Sequence, residues 1–163
     1  MAQNTPTKMI QLREVRQDDL DAFFEHQLDE TANWMAAFVG KDPSDREAFD
    51  RRWQRNLADQ ASVQRTVEWN GTVAGYISSF VMEGDREVCY WIDKALWGKG
   101  VATAALNALL SEITERPLHA RAVSDNLASI RVLEQCGFVK VRTERAFAPG
   151  RGAEVEESIF LLH

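Results

Sequence analysis

The chain reads as an α/β protein built on one mixed sheet of about seven strands with helices on both faces. Three observations predict this class. Period-2 segments dominate the middle of the chain, helical periodicity frames and follows them, and a glycine-punctuated turn joins an apolar strand directly to a helix. Runs of antiparallel strands followed by helix, strand, helix and a final strand pair are the order expected of a mixed sheet covered on both sides.

Residues 10–16 (IQLREVR) alternate as a strand, and Asp18 is placed to cap a helix whose Leu20, Phe23, Phe24 and Leu28 share one face. A second helical region runs from about Thr31 to Phe38, breaks around Lys41, Asp42 and Pro43, and resumes after Ser44 through about Leu57. Residues 29–44 are therefore expected to form a bent helical flap. Val63–Trp69 and Thr72–Met82 are strands joined by Asn70-Gly71, the strongest short signal for a type I′ hairpin. Gly84-Asp85 is read as the next turn. Glu87–Ile92 (EVCYWI) then forms a strand apolar on both faces from Val88 onward, as a central strand requires.

From Gly100 to about Thr114 the chain is helical, with Val101, Ala105, Leu109 and Ile113 nearly aligned, and Pro117 stops it. Strand LHARAV follows. Ser124-Asp125-Asn126 can cap a short helix with Leu127, Ile130 and Leu133 facing inward, ended by Gly137. Residues 138–147 and 154–162 complete the pattern as two strands joined by the loop APGRGA. No repeat, low-complexity tract or linker divides residues 1–163, so one domain is expected, with residues 1–8 as a flexible N-terminus.

Composition narrows the function classes. With 45% hydrophobic and 27% charged residues, the chain has the balance of a soluble globular protein. It has no run of about 18 apolar residues, and its polar start is not a signal peptide. A cytoplasmic protein without a membrane partner is the expectation. A net charge of -6 argues against a general nucleic-acid binder and suits an amine-bearing partner. Cys89 and Cys136 lie far apart with no metal-ligand spacing, so free thiols and no metal are expected.

The chemistry-bearing stretch is CYWIDKALWGKGVATAALNALL, in which a strand ends, Gly98 and Gly100 turn the chain, and a helix begins at once. Glycines let successive N–H groups converge on an anion, and the helix N-terminus adds partial positive charge. A diphosphate held by backbone is the natural ligand. The spacing is neither a Rossmann fingerprint, which would need glycine at Thr103, nor an NTPase loop.

WGKGVA (Trp97–Ala102) resembles the Q/R-x-x-G-x-G/A signature of GNAT N-acetyltransferases. Trp97 stands where Gln or Arg is usual, a departure similar to the RimJ/RimL-like branch that acts on ribosomal-protein α-amino groups. YWID before the turn, NLASIRVLEQCGF (Asn126–Phe138) and the terminal strand pair fit the same family in order. The resemblance implies the GNAT fold, with a splayed strand pair binding CoA, and an enzyme that moves acetyl from acetyl-CoA onto a primary amine by direct attack. The amine would be a protein N-terminus or a small molecule, and the protein a monomer or homodimer.

The resemblance further implies that backbone groups of Tyr90, Trp91 and Ile92 pair with the pantetheine arm. Gly98, Lys99, Gly100, Val101, Ala102 and Thr103 would wrap the pyrophosphate, and Asn126 would bond the pantetheine region. Ile92 N–H is the expected oxyanion donor and Glu87 the base, acting through water. Leu133 holds the position where many relatives carry a tyrosine acid, which makes Ser129 the expected substitute. His26, beside the flap, and Asn33, Trp34, Met35 and Phe38 within it, together with the 147–153 loop, are the candidate acceptor contacts. The missing tyrosine also leaves a second reading, a catalytically inactive acyl-CoA-binding regulatory module.

Overall fold

A computed structural model describes residues 9–163; the expected flexible segment 1–8 lies outside them. Seven strands form one sheet in the order β1-β2-β3-β4-β5-β7-β6. The strands are β1 (Ile10–Glu14), β2 (Val63–Trp69), β3 (Thr72–Met82), β4 (Asp85–Ile92), β5 (Leu118–Val123), β6 (Val139–Ala148) and β7 (Ala153–Leu162). All neighbours are antiparallel except β4 and β5, which run parallel. The helices are α1 (Asp19–Gln27), α2 (Glu30–Ala36), α3 (Arg46–Ala58), α4 (Val101–Glu112) and α5 (Leu127–Gln135).

Two apolar clusters cover the two faces. The larger joins α4 and α5 to the sheet through Val101, Ala105, Leu106, Leu109, Ile113 and Leu133, and includes Val88 and Ile92 of β4. Each such Leu or Ile contributes roughly 1.5–3 kcal/mol by leaving water. The smaller packs Leu20 and Phe23 of α1 and Phe49 and Trp53 of α3 against Val73 and Tyr76. A β-bulge sorts β3 between them: Val67 faces Gly75 and Glu68 faces Val73, leaving Ala74 as the extra residue. That extra residue turns Val73 and Tyr76 together toward α1 while Ala74 and Ile77 meet α4.

Local signals were met with three corrections. Asn70 and Gly71 adopt the paired positive φ of a type I′ turn (51° and 81°). The following turn lies at Glu83-Gly84, and Asp85 already pairs with Met82, so its centre is one residue earlier than Gly84-Asp85. Asp18 does not cap α1 with its side chain. The neighbouring Asp19 is the buried one, accepting bonds from both Arg13 nitrogens (2.7 and 2.8 Å), Arg16 N–H (2.7 Å) and Thr66 Oγ1 (2.7 Å). This cluster ties α1 to β1 and β2. Leu127, expected to face inward with Ile130 and Leu133, is exposed, because six residues from Leu133 it lies about 120° round the helix from that buried side chain. Its cap is Asn126, whose side chain accepts from Ser129 N–H.

Candidate active site

The site arises where the sheet comes apart. β4 and β5 pair at a single register position, Glu87 with His119, and diverge beyond it. A cavity of about 570 Å³ fills the wedge. Because β4 side chains alternate, Val88, Tyr90 and Ile92 line it toward α4 and α5, and Cys89 and Trp91 line it from the other face. The opening therefore passes through the sheet. Met35 and Phe38 at the flap, Arg121 on β5 and Glu157 on β7 also line it.

Register decides which backbone groups face the wedge. Asp93 N–H bonds Ala74 carbonyl at 2.8 Å, so the β3–β4 pairs two residues apart from it, including Trp91 with Tyr76, exchange hydrogen bonds. The amides and carbonyls of Tyr90 and Ile92 turn instead toward β5. Trp91 is thus a correction to the expected backbone set: its peptide groups are engaged by β3, and its side chain lines the cavity. Gly75 permits this close approach, since a Cβ there would collide with the Trp91 carbonyl and crowd Ile92 Cα at 3.0 Å. The Ile92 carbonyl accepts from the Trp97 indole N–H at 2.9 Å. The residue that departs from the resembled signature therefore ties the end of β4 to the turn before α4.

At the mouth of α4, Gly98 and Gly100 have φ of 77° and 78°, the left-handed conformation that glycine adopts without strain. Added Cβ atoms at these glycines would meet nothing within 4 Å, so the cradle is open, and no side chain caps the helix. The first-turn amides of Val101, Ala102 and Thr103 have no intrahelical acceptor and face a ready anion position. Gly98, Gly100, Val101, Ala102 and Thr103 all line the cavity, whereas Lys99 does not. The Thr103 hydroxyl donates to Gln135 Oε1 at 3.2 Å, tying α4 to α5. Asn126 lines the cavity as well, its amide held to Met35 carbonyl at 3.4 Å. Arg131 on α5 adds a cation that spacing did not single out.

Ser129 lies 2.9 Å from the Tyr90 hydroxyl, and both line the cavity. Burial pushes the Tyr90 phenol up to about 12, against the opposing effect of the Ser129 bond. A hydroxyl pair thus stands inside the wedge, and the Tyr90 side chain is a functional candidate that strand patterning hid among core aromatics. Glu87 is buried and does not line the cavity. Its Oε1 is 3.4 Å from Arg121 Nε, and burial raises its pKa against the pull of Arg121 and His119. Arg121 also meets Glu144 at 3.1 Å and Glu157 at 3.4 Å, placing one guanidinium among carboxylates from three strands.

The acceptor candidates divide. Phe38 lines the cavity, and Met35 joins it. His26, Asn33 and Trp34 do not, and each has another partner. His26 Nε2 sits 3.6 Å from Asp93 Oδ2, with burial lowering its pKa. The Asn33 amide donates to Gln27 and Asp29 carbonyls at 2.6 and 2.9 Å, which locks α1 to α2. The Trp34 ring lies under the Arg151 guanidinium at 4.5 Å. These side chains build the flap rather than line the opening.

Comparison with known proteins agrees with this fold. The family model described as acetyltransferase (GNAT) domain matches residues 10–139. The chain is 29% identical over 118 residues to Bacillus subtilis YdaF, provisionally named a ribosomal N-acetyltransferase. That match takes in 66% of this chain and 63% of the relative, less than two thirds of its length. Mycobacterium smegmatis RimJ, solved with CoA-disulfide, superposes with a TM-score of 0.79 at 20% identity, covering 94% of this chain and 81% of RimJ. Vibrio cholerae spermidine N-acetyltransferase, solved with CoA and spermine, gives 0.75 at 18% identity, covering 93% and 95%.

Proposed function

Because the chain belongs to the acetyltransferase (GNAT) domain family, we propose that it transfers the acetyl group of acetyl-CoA to a primary amine. The observation that carries this reading is the single-position pairing of β4 with β5, which opens a tunnel lined by a helix mouth suited to diphosphate and by Glu157 beside Arg121. A thioester carrier would supply an activated acyl group, and the residues present fit it. Gly98 to Thr103 would hold the diphosphate with main-chain donors, while the β5-facing groups of Tyr90 and the Asn126 amide would hold the pantetheine arm as an added strand.

The Ile92 N–H is placed to stabilise negative charge developing on an acyl oxygen, since a fixed backbone dipole needs no reorganisation during reaction. Ser129, bonded to Tyr90, is placed to return a proton to a departing thiolate. The proton lost by the amine goes to the carboxylate group around Arg121. Glu87 belongs to that group but reaches the tunnel only past the guanidinium. Phe38 and Met35 bound the acceptor side, and Glu157 is the lining carboxylate that would meet a cationic amine. YdaF, provisionally named a ribosomal N-acetyltransferase, makes a protein amine such as an N-terminus one candidate acceptor, and the Vibrio spermidine N-acetyltransferase makes a polyamine another.

Free Cys89 and Cys136 suit a reducing cytoplasm. Among the described residues no helix is long and apolar enough to cross a membrane. The hydroxyl pair supplies a proton donor where the family's tyrosine is missing, so nothing favours the inactive module. The test is acetyl-CoA turnover by thiol release against spermidine, free lysine and a short peptide with a free N-terminal alanine. CoA binding without transfer to any of them would contradict the enzymatic reading.

A further inference from the structure

We propose that Glu157, on β7, is the side chain that takes the proton from the acceptor nitrogen, with Arg121 positioning its carboxylate. This deepens the acetyltransferase reading and rests on it. Of the three carboxylates that surround Arg121, Glu157 alone among the described residues lines the tunnel. Glu87 is sealed, with its side chain 4% exposed, and Glu144 lies outward at 43%. Glu157 is between them at 14%, covered enough to lose bulk hydration and open enough to meet a ligand.

The neighbours suit the role. Glu157 stands opposite Val123 on β5 and Glu144 on β6, with Met35 and Phe38 of the flap lining the same tunnel. The charged groups facing it are Arg121 from β5, Glu144 from β6 and Glu87 from β4. The contact with Arg121 is long, 3.4 Å, because the same NH1 reaches Glu144 at 3.1 Å and Nε faces Glu87. Arg121 therefore restrains the carboxylate without occupying it fully, and Glu87 restrains Arg121 from behind. Burial raises the Glu157 pKa, Arg121 lowers it, and the two like charges raise it again, the balance being upward. A base so tuned accepts a proton more readily than a solvated glutamate.

The step balances without another reactant. An ammonium loses one proton to the Glu157 carboxylate; the freed nitrogen lone pair forms the C–N bond as the C–S bond breaks. The sulfur keeps that electron pair and takes the Ser129 hydroxyl proton, while the second proton of the acylated nitrogen passes to Ser129 Oγ, which Tyr90 supports, so the hydroxyl is regenerated. Glu157 then releases its proton to water, and each turnover yields one amide, one thiol and one proton.

The experiment compares wild type with Glu157→Gln, Glu157→Asp and Glu87→Gln. It reads kcat/KM against pH with whichever of the three amines turns over fastest, CoA affinity by calorimetry, and carboxyl titration by carbon NMR on the ligand-free protein. A required ionised carboxylate gives an acid limb, activity rising with pH through its pKa. We expect Glu157→Gln to lower kcat about a hundredfold, to erase that limb and to remove one carboxyl titrating above the usual glutamate range. CoA affinity should stay within about twofold, since Glu157, on β7, is not among the groups proposed to hold CoA. Glu157→Asp should retain the limb at a shifted position with reduced kcat, and it carries the test should the glutamine variant fail to fold. Glu87→Gln should keep the limb. Wild-type turnover and limb in Glu157→Gln, an unmoved limb with full kcat in Glu157→Asp, or loss of the limb in Glu87→Gln overturns the assignment. A wild type that acetylates none of the amines overturns the acetyltransferase reading beneath it.

Discussion

Replacing Asp19 with Asn should cost stability in a way that disappears in acid. The four bonds to Asp19, two from Arg13 and one each from Arg16 N–H and Thr66, hold its carboxylate near a pKa of about 2 against the usual 3.8, overcoming the opposing effect of burial. At about 1.4 kcal/mol per pH unit, that difference is worth about 2 kcal/mol of folding free energy. The sign follows from the lowered value. The stabilisation is complete above about pH 4, where the unfolded chain also ionises this group, and fades as pH falls through about 2. Urea unfolding of both proteins at neutral pH and at several points toward pH 2 measures it as the change in their difference. A gap that narrows by about 2 kcal/mol on acidification is expected. A gap independent of pH would show that Asp19 packs as a neutral group and that the charge pairing contributes nothing. The consequence reaches the site, because α1 carries the chain into the flap that bounds the tunnel.

Arg151→Ala should loosen that flap. Arg151 bonds both Asp125 oxygens at 2.8 and 2.9 Å, donates to Trp34 carbonyl at 2.6 Å and covers the Trp34 ring, joining the β6–β7 loop to α2 and to the turn before α5. Its loss should cost about 1–2 kcal/mol by denaturant unfolding and raise acceptor KM while CoA affinity holds; unchanged stability and KM would refute the strut. Ser129→Ala should lower kcat by about tenfold or more with little change in CoA affinity, since it removes both a proton donor and the Tyr90 partner at 2.9 Å. Wild-type turnover would remove Ser129 from the chemistry.

How much of this was legible follows the range of the forces involved. The β4–turn–α4 unit was readable because its signals are local: glycines at a strand end, helical spacing of Val101, Ala105, Leu109 and Ile113, and a stop at Pro117. The hairpin at Asn70-Gly71 was readable for the same reason. Asp18 reads as the cap by its position alone, and nothing local marks the adjacent Asp19 as the buried carboxylate. What separates them is Thr66, 47 residues away, and Arg13 on the neighbouring strand. Glu157 was hidden more deeply. It sits in a β7 stretch, EVEES, that alternates like a solvated edge, and its partners Arg121, Glu144 and Glu87 come from three other strands. The flap side chains misled in the opposite direction, because an aromatic at helical spacing reads the same whether it lines a tunnel or, like Trp34, stacks beneath an arginine.

The account depends on main-chain donors at the start of α4 gripping a diphosphate, and Ala102→Asp tests it by separating folding from binding. Ala102 lies in the first helical turn and lines the cavity. A carboxylate there favours the helix, by about 0.3–1 kcal/mol, yet sets a negative charge where the anion must enter. Calorimetric titration of CoA should give saturable one-to-one binding to wild type and at least about tenfold weaker binding to a variant that melts no lower, a like-charge penalty of about 1.4 kcal/mol or more. Equal affinity in the two proteins would contradict the claim.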